Sequence, residues 1–521
     1  MTAPTGVART ARLAGAGRVA RLVGAARLEL RVELRHGIVL VALVMTAGWT
    51  VALLAMPAWL ARAVGPYVLM ADTAAFGAFF VAALFLYERG EGALAALVAS
   101  PLRFGEHLGV RLTTLTLLAV GSAVPVALAA YRGVGGLGLV LLGVCLVSLL
   151  ILALNISVVT AHRTLMDFLV VAPVFLAPLM VAPLARLAGL ATHPLLHLVP
   201  TTGAADLLRA PVAPPSPGRI AATAGYLLLW IAGAVWLARR RFRREFFRPG
   251  ERRVAAAARL RPGVAAAARA RPWGGSRHWL VAYPKIDLHA VARSGMLIAI
   301  LVGPVLLAAA LRLGYPSLAG QVAARFGVEL APYRPLLLAA LVVLHVPLLC
   351  GMVGAMLVLD DVDDRMLLVL RVSPVTLPRY LAYRSAVVAG IAAVSLLVAA
   401  PLSGLAPVGA LPSMLPALGL AAAQAPLIML ATVAYAGDKV EGLALLKLLG
   451  GLVTGLAPAM WWLPTPATWP LRLLPPAWVL DTLWRPSVLA LAGGALATGA
   501  ATALLASRTV SRLSEGRRQG Y

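Results

Sequence analysis

The chain has 521 residues, 61% hydrophobic and 13% charged, with 46 Lys+Arg against 20 Asp+Glu and a formal net charge of +26. Soluble globular chains are about 45–50% apolar and about 25% charged. The balance excludes a disordered chain, a fibrous protein and an ordinary cytosolic enzyme, and it points to a polytopic membrane protein.

The basic residues are concentrated. Residues 1–36 carry net +5, residues 239–293 net +12 and residues 508–521 net +3, so 20 of the 26 charges lie between or outside the apolar runs. Basic flanks on one side are what the positive-inside bias produces. No nucleic-acid-binding module or aromatic-basic interleaving accompanies them, so no nucleic-acid partner is expected.

The Arg-rich N-terminus has no short apolar core with a small-residue cleavage site, and it does not read as a cleaved signal peptide. At 27–37, RLELRVELRHG repeats on a four-residue period: Glu29/Glu33, Leu30/Leu34 and Arg31/Arg35. A membrane helix needs about 20 mostly apolar residues. Twelve runs qualify: roughly 37–60, 67–87, 108–130, 137–160, 165–187 and 219–238, then 291–312, 335–358, 382–405, 414–435, 442–462 and 488–507. The organisation expected is a first six-span half at 1–238, a basic Ala/Arg/Pro linker at 239–290 and a second six-span half at 291–521.

An even span count puts both termini on one side. With that side cytoplasmic, 36 Lys/Arg fall inside and 10 outside, or 21 against 10 without residues 239–293. A multi-pass plasma-membrane protein with cytoplasmic termini is expected. Cys145 and Cys350 lie inside apolar runs and read as small core residues. The linker holds VAAAARLRP at 254–262 and VAAAARARP at 264–272, short helical stretches stopped by proline, suited to the cytoplasm or the inner leaflet.

The halves repeat one another. Shifted by 273 residues, ERGEGALAALVASPLRFGEHLGVR at 88–111 falls on DVDDRMLLVLRVSPVTLPRYLAYR at 361–384, with six of 24 positions identical. Glu88/Asp361 and Glu91/Asp364 keep an acid, and Arg111/Arg384 keep the arginine. A second echo precedes the last span of each half: Pro200, Asp206 and Leu208 against Pro475, Asp481 and Leu483.

Acids open the repeated segment, as suits a helix N-terminus. Leu94, Leu97 and Val98 then share one helix face, and Leu367, Leu370 and Arg371 take those places in the second copy. Ser100-Pro101 and Ser373-Pro374 stop the helix and start the next. A short apolar face on the cytoplasmic side in both halves asks for a docking partner. The segment resembles the loop after the second span in ABC-2-type permeases, where an acidic stretch, a Leu-bearing helix and a Ser/Thr-Pro stop form the coupling helix that meets the ATPase subunit. In that family a basic interfacial helix precedes the first span, the place of residues 27–37; in the second half HWLVAYPKIDLHAVARSG at 278–295 stands there, interrupted by Pro284. Fused halves of this kind are similar to actinobacterial drug-export permeases.

The resemblance implies an all-α fold of about twelve transmembrane helices in two six-helix pseudo-repeats, with the type V exporter architecture. It implies the membrane subunit of an ATP-driven exporter with two separate ABC ATPase subunits, Mg-ATP held on those partners and no cofactor on this chain. ATPase-coupling residues would be Glu88, Glu91, Leu94, Leu97, Val98, Ser100, Pro101, Asp361, Asp364, Leu367, Leu370, Arg371, Ser373 and Pro374. Membrane lipids and a hydrophobic or amphiphilic small molecule are the further partners expected. The second copy is richer in acids, so the two docking surfaces differ.

No Walker-type phosphate-binding loop is found in the chain, so ATP-driven transport would need an ATPase on another chain. A phosphate-binding loop needs Gly-Lys followed by Ser or Thr, and the three lysines, Lys285, Lys439 and Lys447, are followed by Ile286, Val440 and Leu448. Two other classes have some support in the sequence. Asp360-Asp361-Val362-Asp363-Asp364 contains a DDxxD pattern that could hold Mg²⁺ against a diphosphate, as in a membrane-embedded prenyltransferase; no second Asp-rich cluster accompanies it. An ion-coupled carrier needs well-placed intramembrane acids. Asp72, Asn155, His345 and Gln424 stand out among the span residues, with Asp72 near the outer end of its span. No residue is nominated as catalytic, cofactor-binding or metal-ligating. Gly437–Gly442 reads as a turn with a local ion pair, or as a second ATPase contact. The long outer loops 188–218 and 463–487 read as short re-entrant or surface helices.

Overall fold

The computed structural model describes residues 6–93, 104–189, 193–246, 296–363, 376–407 and 409–516. Among these every regular element is helical, and twelve helices are long and apolar enough to cross a membrane. The chain divides into two compact units, Met1–Pro272 and Trp273–Tyr521.

The first unit opens with α1 (Gly6–Arg35), which carries the four-residue period of the sequence. Ala25, Glu29, Glu33 and His36 are buried, whereas Leu28, Leu30 and Leu34 are exposed. The helix therefore turns its acids inward and its leucines outward, as an interfacial helix facing acyl chains does. Gly37 (φ 72°) turns the chain into α2 (Ile38–Ala55); the left-handed conformation is what requires glycine there. The last carbonyls of α2, orphaned by helix geometry, are covered from afar: Arg132 Nη2 donates to Leu53, Leu54 and Met56 at 2.8–3.2 Å.

The second span is longer than the apolar run at 67–87 predicts. It extends over Ala58–Gly90 as α3 (Ala58–Val68), a π-turn (Leu69–Ala74) and α4 (Ala78–Gly90). Pro57 precedes its first residue, and the helix accommodates an exposed Arg62 and an internal Pro66 that end the run in a hydropathy reading. Next come α5 (Phe104–Tyr131), α6 (Leu137–Val159), α7 (Leu165–Ala188) and α8 (Pro217–Phe246). Helix α6 is the hub, packed on α8, α5 and α4, with Val144, Val147, Leu150 and Ile151 fully buried.

The second unit repeats the order: α9 (Met296–Phe326), α10 (Arg334–Leu338), a π-turn (Ala339–Val343), α11 (His345–Asp363), α12 (Leu377–Leu402), α13 (Leu411–Ala422), α14 (Gln424–Tyr435), α15 (Lys439–Trp462) and α16 (Val488–Gly516). Helix α9 passes through the exposed Arg312 and through Pro316, well beyond the predicted end at 312. The eighth span, Ala331–Asp363, again contains a π-turn, so both units widen their second span, at positions a few residues apart in the repeat. Such insertions are frequent at functional sites. The outer loops form short helices: Pro194–Leu198, Pro200–Thr202 and Ala204–Leu208 in one unit, Thr465–Thr468, Pro470–Leu473 and Pro475–Trp484 in the other.

Helices α11 and α14 approach closely because Gly351 has no side chain. A Cβ there would lie 2.6 Å from the Ala425 carbonyl oxygen and 2.8 Å from Ile428 Cβ. Gly351→Val will lower the stability of this unit by about 1–3 kcal/mol through overpacking. Thermal melting of the purified chain measures it. Gly390→Ala, where a Cβ meets nothing within 4 Å, should hold or slightly raise the melting temperature, since alanine favours a helix interior over glycine.

Candidate functional site at the base of the repeated loop

Of the residues the sequence assigns to coupling, Leu94, Leu97, Val98, Ser100 and Pro101, with Asp364, Leu367, Leu370, Arg371, Ser373 and Pro374, lie outside the described residues. Glu88, Glu91 and Asp361 are described. Glu91 is exposed at the turn that ends α4. Glu88 and Asp361 close the bases of the two loops.

In the first unit Arg111 is the centre. It is 1% exposed. Its guanidinium donates to both carboxyl oxygens of Glu88 (Nη1 to Oε2, 2.9 Å, and Nη2 to Oε1) and to both of Glu29 (Nε to Oε2, 3.2 Å, and Nη2 to Oε1, 2.8 Å). Its planar fork suits two carboxylates at once. His107, one turn before Arg111 on α5, places Nδ1 3.4 Å from Glu29 and Nε2 3.4 Å from Glu88. One turn after it, the Thr114 hydroxyl donates to Glu33 at 2.7 Å. Burial pushes the Glu33 carboxyl above the usual carboxylate range, opposed by that hydroxyl. Residues 107, 111 and 114 occupy one face of α5, and Glu29 and Glu33 the inward face of α1, so three elements meet in one polar seam. Arg89 adds a fourth connection, donating to the carbonyl of His162 at 3.1 Å beyond the end of α6.

The second unit uses the same closure. Arg384 Nη2 donates to Asp361 Oδ2 at 2.8 Å. Acid and arginine are 23 residues apart in both units. The Tyr380 hydroxyl also donates to Asp361, and it stands where His107 stands in the first copy. The neighbouring acids are held by another loop: Lys439 pairs with Asp360 and, at 2.9 Å, with Asp363. Asp438 caps α15, accepting from Val440 N and Glu441 N at 2.8 and 2.9 Å. The Gly437–Gly442 turn thus carries a tertiary ion pair to the end of α11, where the sequence suggested a local one.

A model of the fluoroquinolones export permease protein family matches residues 20–248, and one described as fluoroquinolones export permease protein Rv2686c-like matches residues 287–510. Fluoroquinolones export permease protein Rv2687c of Mycobacterium tuberculosis is 35% identical over 188 residues, 35% of this chain and 78% of the relative. Rv2686c of the same organism, another fluoroquinolones export permease protein, is 31% identical over 205 residues, 39% of this chain and 81% of the relative. The chain belongs to the fluoroquinolones export permease family. No solved structure matches it.

The two family matches follow one another without overlap, so this permease carries two family units in tandem. Each contains one arginine-closed loop base. An Arg-Asp pair also marks the second echo. Arg186 donates to both oxygens of Asp206 at 3.1 Å, and Arg472 Nε donates to Asp481 at 2.7 Å. The internal repeat aligns these two acids with each other but does not point to their arginines. For the loop bases the signal is readable, because both copies keep the acid and the arginine.

Glu29, Glu88 and His107 place ligand atoms within 4.8 Å of one another and could reach one metal ion. Arg111 already donates to both carboxylates, so the cation at this position is supplied by the protein. Of the DDxxD acids, Asp360 pairs with Lys439 and Asp361 with Arg384, and Asp363, inside the pattern, also pairs with Lys439; Asp364 lies outside the described residues. Within the first unit's spans, Trp49 Nε1 donates to Asp72 at 3.1 Å, in the π-turn.

Proposed function

We propose that this permease is the membrane subunit of an ATP-driven exporter, with both halves on one chain and the ATP hydrolysed on two separate cytoplasmic subunits. The observation that carries the reading is the repeated acid–arginine closure beneath the loop that resembles a coupling helix. A docking segment transmits force only if its base is stiff. With Glu88 and Arg111 joined across the loop, a push on the segment moves α4 and α5 together instead of opening the hairpin between them; Asp361 and Arg384 do the same for α11 and α12. The cargo is an amphiphilic or hydrophobic solute, with fluoroquinolones, named for the relatives, as the first to test. Both termini and the basic linker face the cytoplasm of the plasma membrane.

Inverted membrane vesicles from cells that express the chain with its ATPase distinguish this from an ion-coupled carrier. Norfloxacin uptake should start on addition of Mg-ATP and persist when an uncoupler collapses the proton gradient. Uptake that follows an imposed proton gradient without ATP would establish the carrier instead.

A further inference from the structure

A groove of about 1180 Å³ runs along α16 in the second unit, walled by α12 on one side and α13 and α14 on the other. Among the described residues, no charged one lines it. On α16 the lining falls on a four-residue period, Leu491, Ala495, Gly499, Ala503, Ser507 and Ser511. At Gly499, as at Gly419 across the groove, an added Cβ would meet nothing within 4 Å. Leu491 to Ser511 is 21 residues, about 30 Å of helix, the depth of a bilayer's hydrocarbon core. The α12 wall, Pro378 to Ala389, is about half that height, close to one leaflet.

The end where α12 begins and α16 finishes is basic. Arg379 and Arg508 are exposed there, Arg508 over the ring of Tyr435 at 4.5 Å, and Arg512 donates to the Val433 carbonyl at 2.6 Å. The nearby acids, Asp438 and Glu441, accept from the backbone at the start of α15. The first unit bridges its matching helices with protein: Phe104 on α5 stacks on Phe242 of α8 with ring centroids 3.4 Å apart. Leu377 stands at the register position of Phe104 in the second unit.

We propose that this groove binds one anionic phospholipid, an acyl chain lying along α16 and the phosphate at Arg379 and Arg508. An elongated, uncharged slot of bilayer height fits a chain, and the exposed guanidinium groups at one end select a negative headgroup. The lipid would fill space beside α12, the helix that bears Arg384.

Native mass spectrometry of the delipidated full chain tests this, with phosphatidylglycerol and phosphatidylcholine of identical chains as probes. The wild type should retain one phosphatidylglycerol in preference to phosphatidylcholine. Gly499→Leu with Ala503→Leu fills the groove and should lower that retention at least tenfold. Arg379→Gln with Arg508→Gln leaves the residues that line the groove unchanged; it should abolish the headgroup preference, and it stands as a test if the leucine variant fails to fold. Undiminished phosphatidylglycerol binding in a folded leucine variant would overturn the proposal, as would an unchanged preference in the glutamine variant. A wild-type chain that takes no lipid but pairs with a second copy through the same residues would overturn it too, since small-residue stripes also receive helices.

Discussion

Replacing Arg111 with alanine will destabilise the first unit by roughly 3–5 kcal/mol, the usual cost of leaving buried charge without its partner. The side chains of Glu29 and Glu88 are 4% and 17% exposed. Without the guanidinium they face one another with only His107 between them. Thermal melting in detergent should fall by about 10 °C, and export should disappear with it. Arg111→Lys keeps the charge but cannot span both carboxylates, so it should fall between wild type and alanine. The decisive variant is Arg111→Met combined with Glu29→Gln and Glu88→Gln. It removes the whole charge set and should recover much of the stability lost in Arg111→Ala. If the seam also stiffens the loop, that variant will melt near wild type and still export poorly. Full export by it would mean that Arg111 serves folding alone. Arg384→Ala should cost less, because Asp361 is 23% exposed and keeps the Tyr380 hydroxyl.

The twelve spans were legible because an apolar run of membrane length rarely forms anything but a membrane helix. What hydropathy missed lies where polar residues continue a helix. Arg62 and Pro66 ended the predicted second span, and Arg312 the seventh; helices pass through all three. The π-turns at Leu69–Ala74 and Ala339–Val343 leave no mark in composition. The period of Glu29 and Glu33 was visible, but which face turns inward was not. On most helices the charged stripe meets water, and here it meets Arg111 and Thr114. Ion pairs across a loop have no local pattern at all. Only the internal repeat carries the information, since an acid and an arginine kept 23 residues apart in two divergent halves are tied by something. Lys439 has no such counterpart, and its pairing with Asp360 and Asp363 could be learned only from the fold.

Leu97→Asp together with Leu370→Asp will eliminate capture of an ATPase by the tagged chain from its native membranes, and ATP-dependent export with it. A leucine that docks in a partner's apolar cleft contributes on the order of 2 kcal/mol by burial, and a carboxylate in the same cleft adds a desolvation penalty of several kcal/mol. Each substitution alone should therefore reduce capture steeply at its own site. The single variants carry the most information, because the second copy has Arg371 where the first has Val98, and Asp363 and Asp364 where the first has Gly90 and Glu91. If one kind of ATPase serves both loops, Leu97→Asp and Leu370→Asp will each leave the same protein bound at about half the stoichiometry. If the loops take different subunits, each variant will lose a different one by mass spectrometry. The closure beneath each loop makes this reading clean. Leu97 and Leu370 lie outside the Glu88–Arg111 and Asp361–Arg384 pairs, so neither substitution removes a partner from the buried charges, and the melting temperature should stay at the wild-type value. A double variant that still captures its ATPase at full stoichiometry, with melting unchanged, would rule out these faces as the docking surfaces and with them the coupling role of the repeated loop.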